Sequence, residues 1–298
     1  MIIIGGGPAG MSAALWCSDL GLRSVLIDRE PVLGGQLRSI FNPIKNYLGI
    51  SVSNGEELLE QFVKSLKEAR FELRAGQEVV SAKLVDRMIE LADGSKLTGK
   101  AIVIATGVRR RKLRVSGEEK FQGKGILASA SKEFEMVRGS SVVVVGGGDA
   151  ALENALILSR YADAVTLVHR RDEFKARGEF VESVMQRPNI TILTGHVVTE
   201  FEGSESLTSV VVTDLNSGAA KVIPCDYSII RIGVETNTEL LSQQLNFDAN
   251  GYIVVSPRCL TNIEIVFAVG DVAHPRSLTI ATAVGSAATA IKNFGRKR

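Results

Sequence analysis

The first thirty residues alternate short apolar runs with one longer stretch of small and apolar residues. Residues 2–4 are β-branched and predict a strand, residues 11–20 predict a helix, and residues 24–27 predict a second strand that ends at Asp28. Parallel strands need a crossover connection, so a strand, a helix and a strand in this order predict a βαβ unit. The start of the chain is therefore expected to form part of an α/β domain.

The same order of elements occurs again near the middle of the chain. Residues 141–145 predict a strand, residues 152–159 a helix and residues 164–168 a further strand. The segments between the two units alternate short apolar runs with turn signals such as Asp93-Gly94, and are expected to be rich in strands. The pair of βαβ units is the only internal repeat, and it predicts two domains of the same kind.

Each unit has a glycine-rich turn between its first strand and its helix. The turns have the spacings G-x-G-x-x-G and G-x-G-x-x-A. Glycines at these places let the backbone approach a pyrophosphate, and the helix N-terminus adds about half a unit of positive charge. The pattern predicts a dinucleotide site in each unit, whereas a tight turn without a ligand is the alternative. The spaced residues are Gly5, Gly7, Gly10, Gly146, Gly148 and Ala151.

The end of the second strand distinguishes the two units. Asp28 closes the first one, and a carboxylate at this place accepts hydrogen bonds from ribose hydroxyls. The second unit instead has His169-Arg170-Arg171, followed by Arg177. Cations in place of the acid favour a ribose 2′-phosphate, and hence NADPH over NADH, whereas a solvated basic loop is the alternative. Two dinucleotide sites imply two dinucleotides, which we interpret as FAD and a nicotinamide.

An apolar stretch near the C-terminus ends in an acidic residue. Residues 261–271 close on Gly270-Asp271. A carboxylate at the end of a strand could bind a chain of sugar-like hydroxyls, or it could cap the following helix.

Composition and charge narrow the class of protein without identifying a partner. The chain has 298 residues, 45% hydrophobic and 23% charged, with a formal net charge of +2. These values are typical of a globular protein of about two domains, and they predict neither a nucleic-acid partner nor a membrane partner. Three cysteines are too few for a disulfide framework, and no signal peptide or long apolar run is present, so a cytoplasmic protein is expected. No metal site is predicted.

Together these motifs resemble the thioredoxin reductase family of flavoproteins, within the pyridine nucleotide-disulfide oxidoreductases, from end to end. The resemblance implies two Rossmann-like, three-layer (ββα) domains joined by two short hinge strands, and a homodimer. The FAD-binding domain would consist of residues 1–108 and 234–298, with the NADPH-binding domain, residues 109–233, inserted into it. The residues that carry the resemblance are 5–10, 34–37, Asn46-Tyr47, 105–107, 146–151 with Glu153, 169–171 with Arg177, and 261–271.

The resemblance also implies roles for individual residues. Residues along FAD would be Gly5, Gly7, Pro8, Ala9, Gly10, Asp28, Gln36 and Asn46, with Asp271 at the ribitol. NADPH would be held by Gly146, Gly148, Asp149, Ala150, Ala151, His169, Arg170, Arg171 and Arg177. Further cofactor-binding residues would be Glu30, Gly35, Leu37, Ala105, Thr106, Gly107, Gly233, Gly270, Thr279 and Ala281. The flavin N5 carries the chemistry in this family, so no catalytic side chain is assigned, and Asn46 is expected to lie nearest the flavin.

The chain departs from the family at the redox cysteines. Thioredoxin reductases have a Cys-x-x-Cys just before the strand that leads into the NADPH glycines, and this chain has Ser129-Ala130-Ser131-Lys132 there. Hydroxyl and ammonium groups cannot cycle between dithiol and disulfide. Relatives that place a single cysteine in the first glycine turn have it where this chain has Ala9. Cys17, Cys225 and Cys259 are widely separated, and we interpret them as buried apolar residues.

The missing dithiol leaves several acceptors open. Ferredoxin or flavodoxin is favoured, because relatives without redox cysteines reduce such carriers and because residues 109–114 include five cations, with Lys292, Arg296, Lys297 and Arg298 in the tail. A solvated basic segment is the alternative reading of these cations. Disulfide reduction through another cysteine or an external thiol, NADPH oxidase or quinone reductase activity, and a non-catalytic redox sensor are the alternative functions.

Overall fold

The structure of the chain is a computed structural model, which describes residues 1–295. The strands in chain order are β1 (Ile2–Ile4), β2 (Val25–Asp28), β3 (Glu72–Ala75), β4 (Val79–Lys83), β5 (Met88–Leu91), β6 (Lys96–Thr98), β7 (Ile102–Ile104), β8 (Val108–Arg110), β9 (Ser141–Gly146), β10 (Ala164–Val168), β11 (Ile190–Leu193), β12 (His196–Gly203), β13 (Leu207–Asp214), β14 (Ala220–Pro224), β15 (Tyr227–Arg231), β16 (Val234–Thr236) and β17 (Val266–Ala268). The helices are α1 (Pro8–Asp19), α2 (Gly55–Ser65), α3 (Ala130–Glu133), α4 (Asp149–Leu158), α5 (Gly178–Met185) and α6 (Ile280–Gly295). Short 3₁₀ turns occupy Gly35–Ser39, Phe134–Val137, Glu239–Leu241 and Gly270–Val272.

The chain divides into two compact units. The first consists of Met1–Arg109 and Glu235–Arg298, and the second of Arg110–Val234. These boundaries lie one residue from those that the sequence predicts. The two connecting segments contain β8 and β16, which pair as a two-stranded sheet.

The first unit has three layers. Its central sheet has the order β17-β7-β1-β2-β3, and all neighbouring strands are parallel. Alternate strand residues point to opposite faces, so Ile3 and Leu26 pack with α1 and α6, whereas Ile2 and Ile27 pack with the antiparallel sheet β4-β5-β6. Runs of β-branched residues suit these strands because both faces of the sheet are covered.

The second unit repeats this plan. A parallel sheet of order β11-β10-β9-β15 lies between α4 and α5 on one face and the antiparallel sheet β12-β13-β14 on the other. Val142 and Val144 pack toward the helices, and Val143 and Val145 toward the antiparallel sheet. Both units therefore have the three-layer arrangement that the sequence predicts.

Strand order fixes where a ligand can bind in each unit. The chain runs from β1 through α1 to β2 on one side, and β7 pairs with β1 on the other side. In the same way β9 lies between β10 and β15. Ligands of open α/β sheets bind outside the carboxyl ends of the strands where the strand order reverses. In both units this is the end of the strand that leads into a glycine turn.

Some elements differ from the sequence prediction. The β-rich stretch 221–232 is two strands, β14 and β15, because residues Cys225 and Asp226 turn the chain from the antiparallel sheet into the parallel one. The stretch 192–201 likewise divides between β11 and β12. No helix among residues 1–295 is long and apolar enough to cross a membrane.

Candidate functional site

The first glycine turn packs tightly at its ends and is open at its centre. Gly5 has φ +108°, and a Cβ added there would lie 2.4 Å from the Ala105 carbonyl oxygen. A Cβ at Gly10 would lie 1.7 Å from the Gly5 carbonyl oxygen. At Gly7, in contrast, the nearest atom is the Gly35 Cα at 3.9 Å. The first and third glycines are therefore required by packing, and the second leaves space for a ligand.

The second glycine turn is likewise tightly packed at its ends and open at its central glycine. Gly146 has φ +147°, and a Cβ there would lie 2.2 Å from the Arg231 carbonyl oxygen. Ala151 replaces the third glycine and is fully buried. A Cβ at Gly148 would meet no atom within 4 Å.

In each glycine turn, a helix begins directly after the open glycine. α1 begins at Pro8 after Gly7, and α4 begins at Asp149 after Gly148; among the described residues, no side chain caps either helix by a hydrogen bond. Pro8 has no N–H group, and the Ala151 N–H donates to the Gly148 carbonyl at 2.9 Å. Helix N-termini without a side-chain cap are typical anion-binding positions. The open glycine and the uncapped helix together fit a pyrophosphate in both units.

Asp28 holds the first glycine turn in place. Its Oδ2 accepts a hydrogen bond from the Gly6 N–H, and its Oδ1 accepts one from the Glu30 N–H at 2.8 Å. A carboxylate oxygen has further acceptor capacity, so these bonds leave Asp28 able to accept from a ribose. Its position at the end of β2 is the one that the sequence predicts.

Several distant segments meet beside this turn. The Gly34 N–H donates to the Gly6 carbonyl at 2.9 Å, and a Cβ at Gly270 would lie 2.9 Å from the Ala9 Cβ. Gln36 Nε2 donates to the Val108 carbonyl at 3.2 Å and lies 3.5 Å from Asp271 Oδ2. The first glycine turn, Gln36 and Asp271 therefore belong to one site.

The Asp271 carboxylate is half-buried and forms no ion pair with any residue among 1–295. Burial raises the pKa of Asp271 to about 6. Its one hydrogen-bond partner among the described residues is Gln36, at the long distance of 3.5 Å. The carboxylate lies in the 3₁₀ turn Gly270–Val272, not at the cap of α6. A carboxylate with unused acceptor capacity beside a pyrophosphate cradle fits the hydroxyl chain of FAD.

We expect Asp271→Asn to stabilise the protein when FAD is absent. When the pKa of an acid is higher in the folded than in the unfolded chain, the folded chain binds more protons. The free energy of unfolding therefore decreases as pH rises from about 4 to 6. With a pKa of 3.8 unfolded and about 6 folded, the penalty is on the order of 3 kcal/mol at pH 7.5 and about 1 kcal/mol at pH 4.5. Urea unfolding of both FAD-stripped proteins at the two pH values measures this difference in unfolding free energy.

The matched control for Asp271→Asn is Asp86→Asn, because Asp86 is exposed. Its unfolding free energy should change by less than about 0.5 kcal/mol at either pH. An equal response of the two variants would contradict the interpretation of Asp271.

A polar network fixes the turn that follows β7. Thr106 Oγ1 donates to the Asn237 carbonyl, and Asn237 Nδ2 donates back to the Thr106 carbonyl, each at 2.8 Å. Arg109 Nη1 donates to Asn237 Oδ1 at 2.9 Å. Sequence motifs did not indicate Asn237, since its partners lie more than a hundred residues earlier in the chain.

Other predicted cofactor-binding residues of the first unit are buried, lie next to a helix start or are exposed. Leu37 is buried in an apolar cluster with Leu58, so that only its backbone remains available to a ligand. Thr279 lies directly before α6, and its Oγ1 accepts a hydrogen bond from the Thr282 N–H at 3.1 Å. Asn46 and Ala281 are exposed, and Gly35 and Gly107 have positive φ values.

His169 is placed differently from the neighbouring arginines. It is 8% exposed, stacks on Phe174 and contacts the Glu173 carbonyl through Nε2 at 3.1 Å. Burial lowers the pKa of His169, so the imidazole is neutral at pH 7. A Cβ at Gly147 would lie 2.2 Å from this ring. His169 therefore supports the glycine turn by packing, and is not one of the cations at the strand end.

The three arginines of the second unit differ in their partners. Arg170 and Arg171 are exposed and form no ion pair with any residue among 1–295. Arg177, in contrast, contacts Asp149 Oδ2 at 2.9 Å and Glu179 Oε1 at 2.8 Å. Arg170 and Arg171 thus have no acidic partner among residues 1–295, whereas Arg177 anchors the start of α4. Ala150 lies exposed in the first turn of α4, and Gly233 has φ +93° in the connecting segment.

The basic run 109–114 is largely engaged by the protein itself. Arg109 forms ion pairs with Glu235 and Glu239, and those hydrogen bonds raise its pKa. Lys112 Nζ lies 2.8 Å from Glu119 Oε1, and Arg111 Nε donates to the Val234 carbonyl. In the tail, Lys292 lies over the Trp16 ring, while Arg296, Lys297 and Arg298 lie outside the described residues. The run offers less free charge than its sequence indicates.

Comparison with known proteins gives a consistent result. Residues 1–291 match the model of the pyridine nucleotide-disulphide oxidoreductase family. A thioredoxin reductase from Rickettsia felis is 33% identical over 100% of this chain and 98% of its own length, and one from Listeria innocua is 34% identical over 98% and 92%. The solved thioredoxin reductase of Lactococcus lactis has a TM-score of 0.83 at 31% identity, covering 99% of this chain and 97% of that one.

The match covers both glycine turns, both parallel sheets and the stretch around Asp271. The open glycines, the uncapped helices and the unpaired Asp271 carboxylate fit the two cofactors of these proteins. The chain therefore belongs to the pyridine nucleotide-disulphide oxidoreductase family and is a flavin-dependent pyridine nucleotide oxidoreductase of the thioredoxin reductase type, with FAD and NADPH as its cofactors.

Proposed function

We propose that this protein passes electrons from NADPH through FAD to an acceptor that is not a protein dithiol. Ferredoxin or flavodoxin and small oxidants such as quinones are the acceptor classes to test. In this proposal the first unit binds FAD, the second binds NADPH, and the protein is a homodimer. The bound cofactors supply hydride transfer, and the protein positions them.

The proposal rests on the burial of the three cysteines and on their raised pKa values. Cys17, Cys225 and Cys259 are all buried, and burial raises their pKa values to about 11, about 12 and about 11. The thiolate is the reactive form of cysteine, and thiols with such pKa values stay protonated near pH 7. Residues 129–132 supply hydroxyl and ammonium groups in place of thiols. None of these groups supports a dithiol relay.

The chain's own residues account for binding and orientation. Gly7 and Gly148 would admit the two pyrophosphates, and the N-termini of α1 and α4 would donate N–H groups to them. Asp28 and Asp271 would accept from FAD hydroxyls. Arg170 and Arg171 would bind the 2′-phosphate of NADPH through charge-assisted bonds.

Disulfide reduction is the second candidate function. The relatives named above are called thioredoxin reductases, and they match this chain over nearly its whole length. For this chain the activity would need an external thiol or one of the buried cysteines.

A panel of acceptors tests the two candidates. We expect NADPH-dependent reduction of ferricyanide or of a quinone to be at least about 100-fold faster than reduction of thioredoxin, because the internal dithiol is missing. Steady-state rates with the FAD-loaded protein measure this. The triple variant Cys17→Ala, Cys225→Ala, Cys259→Ala should retain the quinone rate per bound flavin. Thioredoxin reduction at enzymatic rates that this variant loses would contradict the proposal and establish the second candidate.

Ferredoxin and flavodoxin form a separate arm of the panel. Surface attraction between a basic protein and an acidic carrier is screened over about 8 Å at physiological ionic strength. If such a carrier docks on residues 109–114, its reduction should slow as salt rises while reduction of an uncharged quinone changes little. Equal salt responses of the two acceptors would exclude docking on this segment.

A further inference from the structure

Two arginines of the second unit converge on one carbonyl group beside Ser129. Arg110 Nη1 donates to the Ala128 carbonyl oxygen at 2.6 Å, and Arg231 Nη2 donates to the same oxygen at 2.9 Å. The two residues lie at opposite ends of the second unit's chain segment. Two guanidinium groups bound to one oxygen atom must lie close to each other.

Arg231 is held rigidly in this position. Its Nε donates to Asn154 Oδ1 at 3.1 Å, and its Nη1 donates to the Ile230 carbonyl at 2.8 Å. Each guanidinium has five N–H donors, of which Arg231 uses three in the described residues and Arg110 uses one. Most donors of the pair therefore remain available to a ligand.

No carboxylate among residues 1–295 lies within ion-pair distance of either arginine. Glu133 is the nearby acid: its charge acts to raise the pKa of both arginines, and its Oε2 accepts the Ser129 N–H at 2.6 Å. Burial and the charge of Arg110 lower the pKa of Arg231 to about 10, which leaves both groups protonated at pH 7. The single charge of Glu133, which forms no ion pair with either group, offsets only part of the repulsion between two like charges, and a bound anion would relieve the rest.

We propose that Arg110 and Arg231 form an oxyanion site beside Ser129, and that its ligand is a small molecule carrying a phosphate, sulfonate or carboxylate group. The planar fork of a guanidinium matches the oxygen atoms of such groups. Arg110 and Ala128 are exposed, so the site is open to solvent on the surface of this unit. The ligand is either a free inorganic anion or the anionic group of a small oxidant; the second case rests on the proposed function.

The site must be distinguished from the nucleotide site, because the Arg231 carbonyl contacts Gly146 of the second glycine turn. Calorimetric titrations therefore use FAD-loaded protein saturated with NADP⁺. The probes are inorganic phosphate and 1,4-naphthoquinone-2-sulfonate, with the uncharged 1,4-naphthoquinone for comparison. We expect at least one anionic probe to bind, and Arg110→Gln and Arg231→Gln each to weaken its binding at least about fivefold.

Matched variants keep this result interpretable. Arg187→Gln removes an exposed arginine of the same unit and should leave probe binding unchanged. Arg231→Lys keeps the charge without the fork and should give an intermediate affinity. Arg110→Gln loses a single hydrogen bond of an exposed side chain, so it tests the site even if Arg231→Gln does not fold. Absence of binding by both anionic probes, or equal binding by Arg110→Gln, would overturn the site.

Kinetics then identify the source of the anion. If it belongs to an oxidant, kcat/KM for the sulfonated quinone should exceed that for the uncharged quinone at least about fivefold, and Arg110→Gln should remove the difference. Equal kcat/KM values together with phosphate binding would support a free anion as the ligand. Thioredoxin reduction that the triple cysteine variant loses would contradict the proposed function, while the titrations would still decide the site.

Discussion

Gly148→Ala should reduce the rate of flavin reduction by NADPH about 100-fold while the protein stays folded and yellow. Gly148 has φ −103° and ψ 178°, a conformation that alanine adopts readily, and its added Cβ would meet no protein atom within 4 Å. The methyl group would instead enter the space that the pyrophosphate needs. Displacing a bound reactant by about 1 Å can lower a rate by about 100-fold. Anaerobic stopped-flow measurement of flavin absorbance after mixing with NADPH tests this.

Two other glycines provide the comparison. Gly285→Ala also adds a methyl group in open space, but on α6, so the rate should be unchanged. Gly146→Ala should instead lower the melting temperature, since Gly146 has φ +147° and its Cβ would lie 2.2 Å from a carbonyl oxygen. Reduction of Gly148→Ala at the unaltered rate would show that the second glycine turn does not hold the nucleotide.

The βαβ units were predictable because their information is local. A strand of β-branched residues, a spaced set of glycines and a helix follow one another within about twenty residues, so Gly5 and Gly146 identify their turns without any tertiary contact. The same holds for Asp28, which lies at the end of its strand. Both open glycines are where the spacing predicts them.

Elements at the edges of the fold were less predictable. The edge strand β3 has the sequence Glu-Leu-Arg-Ala, in which half of the side chains are charged, and the sequence contains no apolar run there. β14 and β15 read as one stretch because only Cys225 and Asp226 separate them. Their assignment to different sheets depends on partners elsewhere in the chain, which periodicity does not report.

Charge was the least predictable property of the site. The run 109–114 reads as a free basic patch, but Arg109 and Lys112 have acidic partners that only the fold brings near. Arg170 and Arg171, just after β10, form no ion pair among residues 1–295, and neither do Arg110 and Arg231, which are more than a hundred residues apart in the chain.

The double variant Arg170→Ala, Arg171→Ala should lose the preference for NADPH over NADH. Both side chains are exposed and without ion-pair partners among residues 1–295, so their charge is available to the 2′-phosphate. Charge-assisted hydrogen bonds contribute roughly 1.5–3 kcal/mol each, and two of them imply a preference of at least about tenfold in kcat/KM. We expect steady-state kinetics to show kcat/KM for NADPH falling by this factor while that for NADH stays nearly constant.

Arg177→Ala and Arg187→Ala separate this effect from general loss of charge. Arg177 contacts Asp149 and Glu179, so its removal should lower kcat/KM for both nucleotides through the start of α4, with a smaller change in their ratio. Arg187 is exposed in the segment that follows α5, and its removal should change neither value. Equal use of NADPH and NADH by the unaltered protein would contradict the assignment, because two unpaired guanidinium groups at the ribose would then contribute nothing to the choice of nucleotide.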